Sequence, residues 1–477
     1  MKRNSFDIPW LTILVSITII VAAYNFGEDR HIWSCCLISV YLIFYVGVMK
    51  IYRYVTHVFM FFICLLTFIR YFLIPVLICA DNDFMTYSPL DSDVNSKFFY
   101  NGILFTIWEA LFLGFYLFNR LPKWYNRGIT SHLNNRVAFK KESISLLVIE
   151  IVFMFFLVLV SPGVLGKYSF MFNLDGNDMI NMSEEASMGL LDTIAILGAR
   201  ILKTLLPIPF VYILYKKYHN HHNSIYFLIS ALCLIVFYAL IMEGNSRNSI
   251  IIPAISIIFI LATLYPSYKK TIWITMVTII AVISVLSIIF KVFRNDITAA
   301  MEADTLSYWI SYLDIYFAGI CNMGRVVSAK IAYGEDYNNF LLMINDTFSN
   351  IPLLSKITDS KYSSLYLFLK FWERNDQVIP SSGNGLFYFG YFFAPVVPVF
   401  ITTLAHYFEK KSYEARYLTE FIVYTFACAT ISYNIFNQIS SLMMKIFVTV
   451  LPIIFIVYIN KRMNSKRKVY NLNVKMI

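Results

Sequence analysis

Long runs of apolar residues alternate with polar connectors along almost the whole chain. About twelve of these runs reach the length of roughly 20 residues that an α-helix needs to cross a bilayer core. They are residues 8–26, 32–49, 56–79, 100–118, 143–161, 190–215, 224–242, 249–265, 271–290, 384–407, 418–436 and 446–460. Barrel strands would instead alternate apolar and polar positions in short segments. The pattern therefore predicts an all-α, polytopic membrane protein with about twelve transmembrane helices.

One connector is far longer than the others. It divides the chain into nine predicted spans, a large extracytoplasmic loop, three further spans and a basic cytoplasmic tail. The corresponding ranges are 1–293, 294–383, 384–460 and 461–477. Within the loop, residues 304–333 and Tyr362–Trp372 are each predicted to form an amphipathic helix in the plane of the membrane interface. Their aromatic residues suit either packing at the interface or stacking on sugar rings.

Composition and charge agree with this class and set the orientation. Hydrophobic residues make up 58% of 477 residues and charged residues 14%, and the mean hydropathy is +0.64, which is outside the range of soluble domains. The net charge of +10 comes from lysine and arginine concentrated in every second connector. By the positive-inside rule these connectors and both termini are cytoplasmic. The basic balance therefore indicates orientation, and we expect no nucleic acid as a partner. The first apolar run along the chain is expected to be a retained membrane anchor.

Cysteine and histidine give no clear metal signal. The seven cysteines show neither a disulfide framework nor metal-ligand spacing. His219, His221 and His222 form a cluster in a predicted cytoplasmic loop, where a metal site and a solvated basic loop are the alternatives. We predict no metal and no cofactor.

Several ionisable residues lie inside the predicted spans, where they are costly unless they face protein or water. Arg70 lies in the third span, five residues before Pro75, where a kink is expected. Glu109 and Glu150 lie in the fourth and fifth spans. Arg70 either joins an internal polar network, with Glu109 as its partner, or snorkels to the outer headgroups.

The sixth span carries two cations on one helical face, Arg200 and Lys203. Two positive charges at that depth attract an anion, and the phosphate of a lipid-linked substrate is a candidate. The alternative is a pair that is neutralised by Glu109 or Glu150.

Two further arginines are predicted at the outer membrane surface. Arg247 lies in the turn that begins at Glu243, and Arg294 closes the ninth span. Arginine suits phosphate because its planar guanidinium makes bidentate hydrogen bonds and stays charged. Each residue alone also suits an anchor among lipid headgroups.

Together these features resemble the Wzy-type oligosaccharide repeat-unit polymerases of O-antigen and capsule. The resemblance is carried by Arg70 with Pro75, the Gly244-x-x-Arg247 turn, Arg294, the large outer loop and the segment Gly383-Asn384-Gly385 with Phe389-Gly390 at the start of the tenth span. It implies a glycosyltransferase at the outer face of the bacterial cytoplasmic (inner) membrane. That enzyme moves a growing glycan from undecaprenyl diphosphate onto a new lipid-linked repeat unit. The implied partners are undecaprenyl-diphosphate-linked oligosaccharide, membrane lipid and a chain-length regulator protein.

This chemistry suggests roles for the candidate residues. A departing diphosphate needs fixed cations, and the attacking sugar hydroxyl benefits from a general base. The catalytic candidates are Arg247 and Arg294 as cations, and Glu243 and Asp314 as bases. The substrate-binding candidates are Arg70, Arg200, Lys203, Arg325 and Asn384. For Glu243 and Asp314, the alternative to a role as base is a surface ion pair. The large outer loop has no Asp-x-Asp cluster, which would indicate a metal-dependent nucleotide-sugar enzyme.

Three other functions share parts of this pattern. O-antigen ligases resemble proteins with a functional histidine in the large outer loop, and residues 294–383 contain none. A lipid-linked oligosaccharide flippase is expected to show two related halves with short loops, and no internal repeat is visible. A membrane O-acyltransferase needs an embedded histidine, whereas His57 and His406 lie at predicted helix ends.

Overall fold

The computed structural model describes residues 29–51, 58–81, 92–125, 139–142, 144–161, 168–170, 190–243, 248–275, 278, 305–334, 337–351, 354–372 and 378–474. These residues are almost entirely helical, as the apolar pattern predicts. Within these ranges one short antiparallel pair interrupts the helices, formed by β1 (Tyr168–Phe170) and β2 (Ile241–Glu243).

The helices are numbered along the chain. Up to residue 243 the described helices are α1 Asp29–Ile51, α2 Val58–Ala80, α3 Ser92–Tyr125, α4 Ser145–Val160, α5 Leu190–Leu205, α6 Pro207–His221 and α7 Ser224–Leu234. The described helices beyond it are α8 Asn248–Leu264, α9 Pro266–Thr275, α10 Thr305–Tyr316, α11 Ile320–Tyr333, α12 Asn339–Phe348, α13 Ser364–Trp372, α14 Ser381–Phe393, α15 Val396–Glu414, α16 Leu418–Tyr433, α17 Ile439–Lys445 and α18 Leu451–Val474.

Four described helices are long and apolar enough to cross a bilayer: Val58–Ala80, Phe98–Arg120, Leu191–His221 and Ile439–Met463. Two bent helix pairs, α8 with α9 and α14 with α15, raise the number to six if each pair is one span. The chain is therefore a membrane-embedded protein. The predicted span 8–26 and most of the span 271–290 lie outside the described residues, and the count of about twelve stays a prediction.

Helix α4 shows the apolar surface that such a protein needs. Ile149, Phe153, Phe156 and Val160 follow one another at spacings of four, three and four residues, and all four are exposed. This spacing puts them on one face of the helix. A contiguous apolar face of this kind would be unfavourable in water and suits contact with lipid.

Proline changes the geometry of α2. Pro75 has no backbone N–H to donate and its ring crowds the preceding turn. The helix widens into a π turn at Ile69–Leu73 and then continues as Ile74–Ala80. The irregularity that we predict at Pro75 thus lies one turn earlier, and Arg70 and Tyr71 are on that turn.

The prediction of one helix over residues 304–333 is wrong. The chain forms α10 and α11, and between them Ala318 has a positive φ of 53°. The Gly319 N–H donates to the Asp314 carbonyl at 2.6 Å, which ends α10. Nor is α11 an interfacial helix, because every residue from Ile320 to Val327 is buried. The second predicted helix, Tyr362–Trp372, is confirmed as helical over Ser364–Trp372 (α13), and its place in the membrane interface stays a prediction.

Helices α3 and α11 touch through their backbones. A Cβ on Gly102 would lie 1.9 Å from the Ile320 carbonyl oxygen, and one on Gly324 would lie 1.7 Å from the Phe98 carbonyl oxygen. Small residues at a helix interface allow this close approach in membrane proteins. The pair of glycines therefore fixes α11 against α3.

The predicted span 384–407 is bent in the structure. Helices α14 and α15 meet at an angle of 115°, and Gly390 within α14 has φ of 74°, a conformation that favours glycine. The residues of α14 before this kink are buried from Ser381 to Tyr388, whereas Phe392 and Phe393 after it are exposed. Helix α14 thus enters the protein interior and carries polar residues there.

Candidate functional site

A buried ion pair joins α2 and α3. Arg70 donates from Nε to Glu109 Oε1 at 2.9 Å and from Nη2 to Glu109 Oε2 at 3.0 Å. Both side chains are fully buried, with an exposed fraction of 0%. The predicted partnership is therefore confirmed, and Arg70 does not snorkel. The two parallel hydrogen bonds form the bidentate geometry that arginine and carboxylate favour.

Further polar groups complete the surroundings of this pair. Tyr71 Oη donates to Glu109 Oε1 at 2.5 Å, and Ser382 Oγ donates to Glu109 Oε2. The remaining arginine nitrogen, Nη1, donates to the Phe317 carbonyl at 3.1 Å. We call Arg70, Tyr71, Glu109 and Ser382, with this carbonyl, the Arg70 cluster. It joins α2, α3, α14 and the α10–α11 connection.

The local structure explains how these side chains meet. Arg70 and Tyr71 are adjacent on the π turn of α2, and both reach the same carboxylate. Ser382 is held because its neighbour Ser381 donates from Oγ to the Ile435 carbonyl at 2.6 Å and from N to the Phe436 carbonyl at 3.2 Å. The start of α14 is thereby fixed to the connection between α16 and α17.

An aromatic pocket lies beside the Arg70 cluster. Its lining consists of Leu66, Tyr316, Phe317, Tyr433, Phe436 and Asn437. Phe317 provides the carbonyl that accepts from Arg70, and the Arg70 guanidinium lies 5.0 Å from the centre of the Phe436 ring. The pocket therefore places aromatic faces and one amide group next to a buried cation.

Asp314, a predicted base, acts as a helix cap. Its carboxylate accepts from the Cys321 N–H at 3.1 Å and from the Asn322 N–H at 2.8 Å, at the start of α11. Only 1% of the residue is exposed. Burial raises the pKa of Asp314, while nearby Arg325 and the two N–H donors act in the opposite direction. Asp314 therefore ends α10 through its backbone carbonyl and caps the start of α11 through its carboxylate.

Two of the predicted substrate-binding residues also have partners inside the protein. Arg325 is buried, with its guanidinium 3.6 Å from the centre of the Trp372 ring. Asn384 donates from Nδ2 to Ser364 Oγ at 2.7 Å and accepts from the Ile439 N–H at 3.0 Å. Asn384 therefore connects α14 to α13 and α17.

Asp346 was missed by sequence reasoning. Its carboxylate accepts from Ser364 Oγ and from Tyr388 Oη, each at 2.5 Å, and from the Ser364 N–H at 3.1 Å. Burial raises the pKa of Asp346 to about 6. The available signal was an acidic residue close to the apolar run 340–344, and a similar signal identified Glu109. Ser382 had no such signal, since serine is common beside glycine.

The other predicted residues lie apart from the Arg70 cluster or outside the description. Arg200 and Lys203 are on α5. The two carboxylates that were considered as their partners bind other residues: Glu109 pairs with Arg70, and Glu150 accepts from Asn460 at 2.9 Å. Glu243 ends β2 and pairs with Tyr168 of β1. Arg247 and Arg294 lie outside the described residues. Within the described ranges, no three His, Cys, Asp or Glu side chains group as a metal site would require.

No protein-family model, curated protein or solved structure matches the chain.

Proposed function

We propose that this chain is a metal-independent membrane glycosyltransferase of the Wzy type, which polymerises undecaprenyl-diphosphate-linked repeat units into O-antigen, capsule or exopolysaccharide. It would work at the outer face of the bacterial cytoplasmic membrane, with about twelve spans and both termini in the cytoplasm. Its donor substrate is the growing lipid-linked chain and its acceptor is a newly delivered lipid-linked unit.

One observation carries the proposal. Arg70, five residues before Pro75, and Ser382, directly before the Gly383-Asn384-Gly385 motif, both donate to the carboxylate of Glu109. Burying an arginine and a glutamate in a membrane helix bundle is costly unless both are fully satisfied. Such groups in membrane proteins usually mark a functional site, and here they hold the start of α14 in place.

The charge requirements of the reaction assign the roles. A glycan leaving undecaprenyl diphosphate exposes concentrated negative charge on the phosphate oxygens, and fixed cations stabilise it. Arg247 and Arg294 are proposed for this contact, with Arg200 and Lys203 as further cations. The Arg70 cluster is proposed to position α14, because both oxygens of Glu109 are already occupied.

The base is proposed to be Glu243, because Asp314 is buried as a helix cap. A general base must come within hydrogen-bond reach of the hydroxyl that it deprotonates. A carboxylate with an exposed fraction of 1% does not offer that reach.

The proposal is tested by complementation of a strain that lacks its own copy of the gene. The wild-type chain should restore long, ladder-like surface polysaccharide. Arg247→Ala, Arg294→Ala and Arg70→Lys should leave single repeat units, because the first two lose a phosphate contact and the third loses the bidentate pairing with Glu109. Each variant is compared at equal protein content in the membrane.

The matched control is Arg120→Ala, since Arg120 is an exposed arginine at the far end of α3. It should restore full ladders. Full ladders from Arg247→Ala and Arg294→Ala would remove both residues from the site. Accumulation of repeat units on the inner leaflet of the deletion strain would instead identify the chain as a flippase, and transfer of finished glycan onto a lipid acceptor would identify a ligase.

A further inference from the structure

Two cysteines from different helices are in direct contact. The thiol of Cys35 in α1 is hydrogen-bonded to the thiol of Cys79 in α2. Cys79 is fully buried, whereas Cys35 is partly exposed. Helix α1 packs along the last part of α2, Ile74–Ala80, so this contact belongs to a helix interface.

The contact is specific to one of two adjacent cysteines. Cys36 follows Cys35 directly, but one residue along an α-helix turns the side chain by about 100°. Cys36 is accordingly exposed on another face of α1. The geometry therefore selects Cys35, and Cys36 provides a control with the same chemistry at almost the same depth.

The predicted orientation puts this pair at the extracytoplasmic ends of both helices. Glu28 precedes α1, Asp29 is its first residue, and Asp81 lies two residues beyond Cys79. Disulfides form and persist in extracytoplasmic, oxidising compartments and are rare in the cytosol. A thiol pair at this position is thus in the compartment where oxidation to a disulfide is favoured.

We propose that Cys35 and Cys79 are a modification site, at which a disulfide oxidant joins α1 to α2. The Cys35 thiolate attacks the oxidant and releases one thiol, leaving a mixed disulfide on Cys35. Cys79 then loses its proton and attacks the Cys35 sulfur, which releases the second thiol. The pair loses two electrons and two protons, and the oxidant is reduced to two thiols.

The cross-link would act on the helix that carries the Arg70 cluster. Cys79 lies nine residues beyond Arg70, and the π turn at Ile69–Leu73 lies between it and the rest of α2. A covalent bond to α1 restrains the end of α2 and so limits changes in this turn. This proposal does not depend on the glycosyltransferase function.

The experiment uses the full chain in membranes treated with 4,4′-dithiodipyridine. Remaining thiols are then blocked with N-ethylmaleimide, and the protein is digested with trypsin without reduction. We expect a disulfide-linked species that contains residues 31–50 and 71–97, found by mass spectrometry and lost after reduction.

Two single variants locate the bond. Cys36→Ser should retain the linked species, whereas Cys35→Ser should lose it although Cys36 remains in the same peptide. The proposal is overturned if wild type and Cys36→Ser yield no linked species, or if Cys35→Ser still forms it through Cys36. Protein that elutes as the wild type does on gel filtration confirms that each variant is folded.

Discussion

The carboxylate of Glu109 is fully buried and accepts four hydrogen bonds. It receives two hydrogen bonds from Arg70, one from Tyr71 and one from Ser382, and none of its surface is exposed. A buried ion pair contributes little net stability compared with apolar residues of the same shape. Removing one partner, however, leaves an uncompensated charge, which costs about 3–5 kcal/mol.

We therefore expect Glu109→Gln to destabilise the protein strongly. The amide keeps the shape but leaves the buried Arg70 without its counter-charge. The midpoint of thermal unfolding in detergent should fall well below that of the wild type. Glu150→Gln is the matched control, because Glu150 is half-buried and accepts a hydrogen bond from Asn460, and its midpoint should change little. Equal midpoints for both variants would contradict the assigned importance of the ion pair.

Asp346 gives a prediction about pH. The folded-state pKa of about 6 lies above the value of about 3.9 for an unperturbed aspartate. Between these values the folded chain binds more protons than the unfolded chain, so stability falls as pH rises. About two pKa units correspond to roughly 3 kcal/mol. The wild type should lose about this much unfolding free energy from pH 3 to pH 7 relative to Asp346→Asn, as followed by thermal melting.

The control for this effect is Asp359→Asn. Asp359 is exposed and caps a short turn by accepting from the Lys361 N–H at 2.9 Å. Its replacement should leave the pH dependence of the melting temperature as in the wild type. A wild-type profile that runs parallel to that of Asp346→Asn would show that Asp346 is ionised with an ordinary pKa.

At the scale of elements, backbone contact between α3 and α11 decides the packing around the site. Helix α3 carries Glu109, and α11 begins at the connection whose carbonyl accepts from Arg70. Any side chain at Gly102 or Gly324 would meet a carbonyl oxygen at less than 2 Å. The helices would have to separate, which moves Glu109 on α3 away from the α10–α11 connection and so disturbs the Arg70 cluster.

Gly324→Ala is accordingly expected to be destabilising. Overpacking typically costs about 1–3 kcal/mol, and the contact here is with backbone that cannot rotate away. Gly198→Ala in α5 is the matched control, since its Cβ would lie 3.5 Å from Leu157 Cβ, an ordinary contact. Thermal melting should show a clear loss for the first variant and no loss for the second. Comparable melting temperatures would mean that α11 is free to shift.

The breaks in two predicted helices have a common explanation. The apolar pattern continues from residue 304 to 333 and from 384 to 407, and it does not reveal a change of direction. The first break depends on Asp314 capping α11, and the second on the positive φ of Gly390. Aspartate and glycine are also found inside helices, so their presence alone does not predict a break.

For the whole molecule, the orientation in the membrane is the open prediction. Charge in the connectors puts Lys361 outside and Asn220 inside the cell, and both residues are exposed. In a Cys36→Ser background, a membrane-impermeant maleimide should label Lys361→Cys in intact cells. It should label Asn220→Cys only after the membrane is permeabilised. The reverse labelling would put residues 294–383 in the cytosol, away from the proposed substrate.

The apolar pattern and the composition already identify the membrane as the surroundings of this chain and helices as its elements. Apolar runs the length of a bilayer can only be helices that satisfy their own backbone, and a buried Arg70 requires a carboxylate such as Glu109 within reach. Tertiary structure alone decided which groups complete that pair, because Ser382 is 273 residues from Glu109 along the chain. It also decided that Asp314 and Asn384 hold helices together. A sequence does not distinguish a polar residue that binds a ligand from one that binds a neighbouring backbone.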